Sequence, residues 1–443
     1  MIRSITSLVL TSSLLFSAAA CAQQPATETS ITAPQLAADI TDWREWLFAT
    51  HPDPSFSMDV DAVNARFDAI SASLSGDYSP REAWYALSVM NPLFNDGHVA
   101  IRTPNADYDA YLASGGADFV LPVDWTGGRL LVGAAIAPDS AFSAGDEILT
   151  INGLAAGDIA ARIFARTHGD SDGLRRYLLE TRFSAYLWGV TGGAREWTVT
   201  AMDSDGHQYS HQIEPARDHG ESHADNWSLT FADSVAILSV NTFAPDLEET
   251  FNAFLEPAFA EIAERGASHL IIDISRNGGG AHMLSDALFA YITTQRYTPL
   301  SAVTARITPE NQARIPGSEI GQVVSLPFAQ WVEPPAELEN RFNGETVILV
   351  GPGTYSQAIV MAATAQDFNI APIAGPGTEG RANSTGQVQV HTLEHSGLEA
   401  AAPIYIFIRP NGDTSGAPVQ PDIPLTGTRE EQIDALIARM TNG

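Results

Sequence analysis

The sequence predicts an α/β fold, and three stretches carry that expectation. From Leu229 onward, short apolar runs alternate with amphipathic ones: "DSVAILSVNTF", "LEETFNAFLEPAFAEIAERG", "HLIIDIS", "NGGGAHMLSDALFAYI", "ETVILV" and "YSQAIVMAATA". Runs such as Val347 to Val350 are apolar without a break, as expected for strands buried on both faces of a largely parallel sheet. Two smaller regions precede this one, a helical segment over 34–112 and a β-rich module over 113–216, which leaves 217–430 for the α/β domain and 431–443 for a closing helix.

The helical expectation rests on period and punctuation. "APQLAADITDWREWLFATHP" spaces Leu36, Ile40, Trp43 and Leu47 on one face and stops at His51-Pro52. "DVDAVNARFDAISASL" and "SPREAWYALSVMNPLF" repeat the signal, the second with Ser79 as N-cap and Pro80 in the first turn. "NDGHVAIRTP" then reads as a turn and a short strand. In the β-rich module, Gly127-Gly128 marks a hairpin and Asn152-Gly153 closes a strand. "DGLRRYLLETRFSAYLWGV" reads as a helical insert, and "REWTVTAMDSDGHQYSHQIEP" as a terminal hairpin. The polar "ARDHGESHADNWS" reads as a linker.

The chain has 443 residues, 44% of them hydrophobic and 17% charged, which suits a folded protein of two or three domains. Its net charge of -30 argues against nucleic acid and anionic membrane surfaces as partners. All 23 basic residues are arginine. A lysine base, a Schiff base and a phosphate-loop lysine are therefore excluded, and any base is a histidine or a carboxylate.

The first 21 residues read as an export signal: Arg3, an apolar core from Leu8 to Phe16, then "SAAAC". Cys21, the single cysteine, stands where a bacterial lipoprotein carries its lipid; Ala18 stands three positions earlier in place of the usual leucine, which leaves a plain Ala-x-Ala cleavage as the alternative. The expectation is an exported protein, periplasmic or anchored to the outer membrane through Cys21, with no disulfide and with residues 22–33 as a tether.

Two corners are placed for chemistry. "ETVILVGPGTYSQAIVMAATAQ" sets Ser356 between a buried strand and a helix, where a nucleophile is often displayed; the plain alternative is an N-cap serine. "LIIDISRNGGGA" places Gly278, Gly279 and Gly280 after a buried strand, suited to an oxyanion hole or to close helix–sheet packing. His98, in "NDGH", is either structural or a base, and His51 at its helix stop needs only a fold role. The pairs His207/His211 and His219/His223 have the i, i+4 spacing of zinc ligands but fall in strand and loop patterns.

In order, these pieces resemble the C-terminal processing (tail-specific) and tricorn-core serine protease superfamily over about residues 35–427. "LPVDWTGGRLLV" followed by "AGDEILTINGL" is similar to the family's PDZ-like module. "LIIDISRNGGG" matches "LIIDLRxNxGG", "GTYSQA" matches "TxSxA" at the nucleophile, "IAGPGTEG" resembles "vGxxTxG", and "VQPDIPL" resembles "GvxPDixv". The resemblance implies a Clp protease/crotonase-like parallel-sheet catalytic domain, a PDZ-like β module and Ser356 as nucleophile. The lysine that one branch places 25 residues on is Arg381 here, whose guanidinium cannot accept a proton at neutral pH. The histidine-dependent branch then implies His98 as base. Its acidic orienter aligns near Ser415, with Asp413 the carboxylate in reach; Asp96 is expected only to shape the turn. Backbone N–H groups of Gln357 and of Gly279 or Gly278 are the implied oxyanion donors.

The resulting expectation is an exported serine peptidase acting on peptide or unfolded protein through Ser356, His98 and Asp413, without metal or organic cofactor. A peptide-binding envelope protein on a decayed protease scaffold, and a hydrolase of non-peptide esters or amides, are the alternatives. The insert "ARITPENQARIPGSEIGQVVSLPFAQWVEPPAEL" has little regular pattern and suggests a lid.

Overall fold

The computed structural model describes residues 30–134, 136–137, 140–213 and 226–442. The export signal, Cys21 and the His219/His223 pair lie outside these residues. Among the described residues, no helix is long and apolar enough to cross a membrane.

The chain opens with helices α1 (Ala33–Thr50), α2 (Val60–Ser73) and α3 (Pro80–Leu87). Ser79 and Glu82 form a reciprocal capping box on α3, with Pro80 in its first turn, as the sequence implies. The "MNPLF" turn leads to Asn95 in the left-handed region and to a short strand β1 (Ala100–Ile101). This strand is held to the helical segment, its Ile101 N–H donating to Asn91 Oδ1 at 2.9 Å and its Ile101 carbonyl accepting from Asn91 Nδ2 at 3.1 Å. It also pairs with a strand far along the chain, Ala100 opposite Ala401 and Ile101 opposite Ala400.

The small module is an antiparallel sheet in the order β2-β3-β4-β5-β6, formed by Val123–Thr126, Arg129–Val132, Glu147–Ile151, Thr198–Met202 and Gln208–Gln212. Both Gly127 and Gly128 have positive φ, and so do Asn152 and Gly153, the geometry of tight hairpin turns that match strand twist. Three helices interrupt it: α4 (Ala156–Phe164), α5 (Asp172–Thr181) and α6 (Phe183–Thr191). The sequence signals the last two as one insert. Arg182, at the junction, leaves helical geometry and divides them.

The central sheet runs β7-β8-β9-β12-β13-β16. Its strands are Trp227–Ala232, Val235–Val240, His269–Asp273, Glu345–Leu349, Ile373–Gly375 and Ile423–Pro424. The first pair is antiparallel and all later neighbours are parallel. Alternate residues serve opposite layers, as a pleat requires. Leu238, Leu270, Ile272 and Ile348 pack toward α7 (Glu248–Glu264), α8 (His282–Ala290) and α9 (Gln357–Asp367). Ile237, Ile271, Val347 and Leu349 pack toward α10 (Arg429–Asn442). Burial on both faces explains the unbroken apolar runs, each such side chain contributing roughly 1.5–3 kcal/mol.

A second, antiparallel sheet runs β11-β10-β15-β14, from Val323–Pro327, Ala302–Arg306, Glu399–Ile408 and Thr385–Thr392, with β1 beside β15. The insert before the nucleophile strand is thus not irregular throughout. Its β10–β11 hairpin is the edge of this sheet, which local apolar pattern hides because β11 is largely exposed on both faces.

Candidate active site

Three segments meet at the ends of the parallel strands. The loop after β12 carries Ser356, the loop after β9 carries the glycines, and the turn before β1 carries His98. The first two are stitched together by backbone: Gly353 N–H donates to Ser275 O at 3.1 Å and Tyr355 N–H to Asn277 O at 2.9 Å. The Thr354 hydroxyl donates to Ile274 O at 2.8 Å, while its oxygen accepts the Gly351 N–H.

Ser356 has φ 51° and ψ -121°, and its hydroxyl does not cap α9. An N-cap serine takes the extended region instead, so the plain N-cap role is not realised. A non-glycine residue held at positive φ is strained and is retained where the surroundings force it. The Ser356 hydroxyl and the Gln357 N–H have no hydrogen-bond partner among the described residues. Both border a cavity of about 860 Å³, walled by α8, the β10–β11 hairpin and the Thr385–Gln387 strand.

The glycine run divides its work. Gly279, at φ 97°, lies so close to the nucleophile corner that a Cβ there would sit 2.7 Å from Ser356 Cβ and 2.8 Å from Gln357 N. Its N–H donates to Asn277 Oδ1 at 2.8 Å, so it does not serve as the oxyanion donor the sequence suggested. The Gly278 and Gly280 N–H groups have no partner among the described residues, and Gly278 faces open space.

His98 is nearly buried and its ring packs on Tyr355, centroids 4.9 Å apart. Its Nδ1 meets Thr385 Oγ1 at 2.9 Å, and Thr385 donates its one hydroxyl hydrogen to Asp96 Oδ1 at 3.0 Å. Thr385 must then accept from His98 Nδ1–H, which leaves the Nε2 lone pair free. Asp96 also accepts the His98 backbone N–H at 2.7 Å, the turn-shaping role expected of it. Its second oxygen faces His51 Nε2 at 3.8 Å, a charge–dipole contact longer than a hydrogen bond. His51 Nδ1 accepts the Asp53 N–H, so its hydrogen is on Nε2, toward the carboxylate.

These contacts set the protonation states. Burial raises the Asp96 carboxyl, but His51, the charge of His98 and the His98 backbone N–H outweigh it and hold Asp96 below the ordinary carboxylate range. Burial also lowers His98, against the opposing charges of Asp96 and Asp170, and the net direction is down. At neutral pH the pair is a neutral imidazole beside an anion.

Asp413 is not brought to His98. It is exposed, and its carboxylate accepts the Ser415 N–H at 2.8 Å and the Ser415 hydroxyl at 3.0 Å. The acid facing the imidazole is Asp96 through Thr385, because β1 joins β15 and thereby sets the "NDGH" turn against the start of β14. Thr385 stands 287 positions from His98, a separation at which no local spacing signals the pair. Arg381 is not placed as a base. It pairs with Asp170 at 3.4 Å and donates to Asn95 O at 2.6 Å.

Ser356 and His98 share no hydrogen bond here, and His98 opens on a neighbouring cavity of about 1160 Å³. A second imidazole, His282, borders the Ser356 cavity, with Nδ1 3.0 Å from Asp286 Oδ2. The Asp286 bond raises its pKa, and the side chain is 68% exposed. His211 lies on strand β6, whereas Asp203, Asp205 and His207 cluster on the exposed hairpin as the one metal-sized group among the described residues.

Residues 234–425 match the model of peptidase family S41. Among solved structures, mature CPAF complexed with lactacystin is 13% identical, covering 93% of this chain and 99% of its own at a TM-score of 0.64. Mature CPAF alone gives 13% identity, 90% and 94% coverage and a TM-score of 0.61. The photosystem II D1 C-terminal processing protease gives 16% identity, 90% and 96% coverage and a TM-score of 0.49. No curated protein matches the sequence. The CPAF likenesses, which extend over nearly the whole chain, agree with the expected α/β fold.

Proposed function

We propose that this chain, a serine-type peptidase of the S41 tail-specific protease superfamily, cleaves peptide bonds by attack of Ser356 with His98 as the general base. The observation that carries the reading is the His98–Thr385–Asp96 chain, which presents an unprotonated Nε2 on a ring packed against the residue before Ser356.

In the reaction, Ser356 Oγ attacks the substrate carbonyl as its proton passes to His98 Nε2. The imidazolium that forms is stabilised by Asp96 across Thr385. The carbonyl oxygen, now negative, is met by the Gln357 N–H and by the Gly278 or Gly280 N–H, each donor worth a few kcal/mol in a dry site. The C–N bond breaks as His98 returns the proton to the leaving amine, and water hydrolyses the acyl-enzyme by the same route. Ser356 and His98 must close to hydrogen-bonding distance on the way, as catalytic pairs commonly tighten only with substrate in place.

We read the β2–β6 sheet with α4 to α6 as the PDZ-like module, residues 113–216, which receives an extended substrate chain. The N-terminal signal sequence points to export, to the periplasm or to an outer-membrane anchor at Cys21. His282 is the rival base because it borders the same cavity as Ser356. Its exposure and its raised pKa favour a role in meeting substrate instead.

A fluorophosphonate probe read by intact mass tests this with the wild type and the variants Ser356→Ala, His98→Ala and His282→Ala. One adduct lost in Ser356→Ala, strongly slowed in His98→Ala and retained in His282→Ala is the expected result. Fast labelling of His98→Ala with loss in His282→Ala would move the base to His282. No adduct on the wild type would favour a peptide-binding protein on a decayed scaffold.

A further inference from the structure

The loop between α4 and α5 sends one carboxylate, Asp170, out of the small module and into the catalytic corner, where its side chain is 7% exposed. Oδ1 accepts the Gly97 N–H and the Tyr355 hydroxyl, both at 2.8 Å. Oδ2 accepts the Arg381 N–H at 3.0 Å, with the Arg381 guanidinium at 3.4 Å. Gly97 precedes His98 in the chain and Tyr355 precedes Ser356. A single buried group therefore holds the base-bearing turn, the nucleophile corner and the strand entry that leads to Thr385. Packing around it is tight: a Cβ at Gly97 would lie 2.4 Å from the Tyr355 hydroxyl oxygen.

Resting on the Ser356–His98 reading, we propose that Asp170 is a positioning residue that sets the separation of nucleophile and base and ties it to the placement of the small module. A direct Ser356–His98 hydrogen bond is absent among the described residues, so the spacing of the two groups is fixed by what holds their neighbours. Burial and the charge of Asp96 raise the Asp170 carboxyl, against the Arg381 and Gly97 N–H groups and the Arg381 guanidinium, yet every partner of its two oxygens is a donor, and a carboxylate is the one side chain of this size that offers two acceptor oxygens. An asparagine sets an N–H₂ against an N–H on one side whichever way it turns. The same loop is anchored outward by the Ser171 hydroxyl, which donates to Glu379 at 2.7 Å, and Tyr177 of α5 packs over Gly353. A movement of α5 on the catalytic domain thus displaces Asp170, and with it the turn and the corner together. A misplacement of about 1 Å is enough to cost on the order of 100-fold in rate.

The test compares wild type, Ser356→Ala, Asp170→Asn, Tyr355→Phe and Ser171→Ala by fluorophosphonate inactivation rate, and by kcat and KM for a peptide across pH. The expected result for Asp170→Asn is a 10- to 100-fold slower inactivation and a matching fall in kcat, on the order expected for misplacement of this size, with KM within about twofold. The acid limb of kcat/KM should also move to lower pH. Asp96 of its own turn and Asp170 are the carboxylates acting on His98, and Thr385, Tyr355 and His168 face it as neutral groups. Ser171→Ala, which removes the adjacent anchor of the same loop but keeps both Asp170 oxygens, should lower Tm and slow inactivation less than Asp170→Asn, without moving the limb. Wild-type rate and pH profile in Asp170→Asn would overturn the proposal. If that variant does not fold, Tyr355→Phe decides: a severalfold slower inactivation supports it, and an unchanged rate overturns it. Absence of labelling in the wild type would instead overturn the Ser356–His98 reading, and the positioning role with it.

Discussion

Replacing Asp96 with asparagine isolates the charge behind the base. The change is nearly isosteric, and an amide oxygen at the Oδ1 site still accepts the His98 N–H and the Thr385 hydroxyl. The turn is therefore kept while the negative charge is lost. That charge lies 3.9 Å from His98 Nδ1, between side chains 2% and 12% exposed, so solvent screens it little. At an effective dielectric of about 20, a carboxylate and an imidazolium at this separation attract by about 4 kcal/mol. In the proposed mechanism the attraction exists only once His98 has taken the Ser356 proton, so its loss should fall on kcat and not on substrate binding. An energy of about 4 kcal/mol corresponds to roughly a 10³-fold fall in kcat. The sign in pH follows as well. Burial already lowers His98 and Asp96 opposes that, so Asp96→Asn moves the acid limb of kcat/KM to lower pH while the plateau drops. Steady-state hydrolysis of a fluorogenic peptide between pH 4 and 9, with Tm followed in parallel, measures both. A fall in kcat of less than about threefold in a folded variant, or an effect confined to KM, would refute the electrostatic role derived from this geometry.

Three further outcomes follow from the same contacts. Gly279→Ala should abolish probe labelling, because its Cβ would meet Ser356 and Gln357, and should lower stability by about 1–3 kcal/mol from the positive φ alone; thermal denaturation and labelling read the two effects. Asp413→Asn should keep kcat within about twofold of wild type, since that carboxylate is exposed and engaged by Ser415, as a surface change away from the site usually does; a large loss of kcat would restore it as the acid. His168 is held at about 4, chiefly by burial and then by the charge of Arg182. Its folded pKa lies below the unfolded value, so the stability it preserves is present above about pH 6.5 and is lost as pH falls toward about 4, by up to about 3 kcal/mol. His168→Gln should flatten that slope in urea titrations across this window.

Much of the fold was legible because its signals are local. The period of α1 to α3, the Ser79-Pro80 start, the Gly127-Gly128 and Asn152-Gly153 turns and the doubly buried strands each act within a few residues. Ser356 and the glycine run were legible for the same reason, since each lies on a strand-to-helix corner that one stretch of chain determines. The proposal of His98 as base followed once the absence of lysine was set beside the ordered motifs.

What remained was decided by pairings between distant segments. Pairing of β1 with β15 carries His98 to Thr385, and neither residue marks the other in the chain. The same geometry sets Asp96, expected only to form the turn, against the proposed base His98 through Thr385 and leaves Asp413 at the surface. Asn277 alone decides which glycine N–H is occupied. Asp170 comes from another module, 185 positions from Tyr355, and its importance lies only in the three donors that the fold brings to it. A sequence determines residue types and short-range geometry. Which carboxylate meets which donor is a property of tertiary packing, because hydrogen bonding acts over about 3 Å and is blind to chain distance.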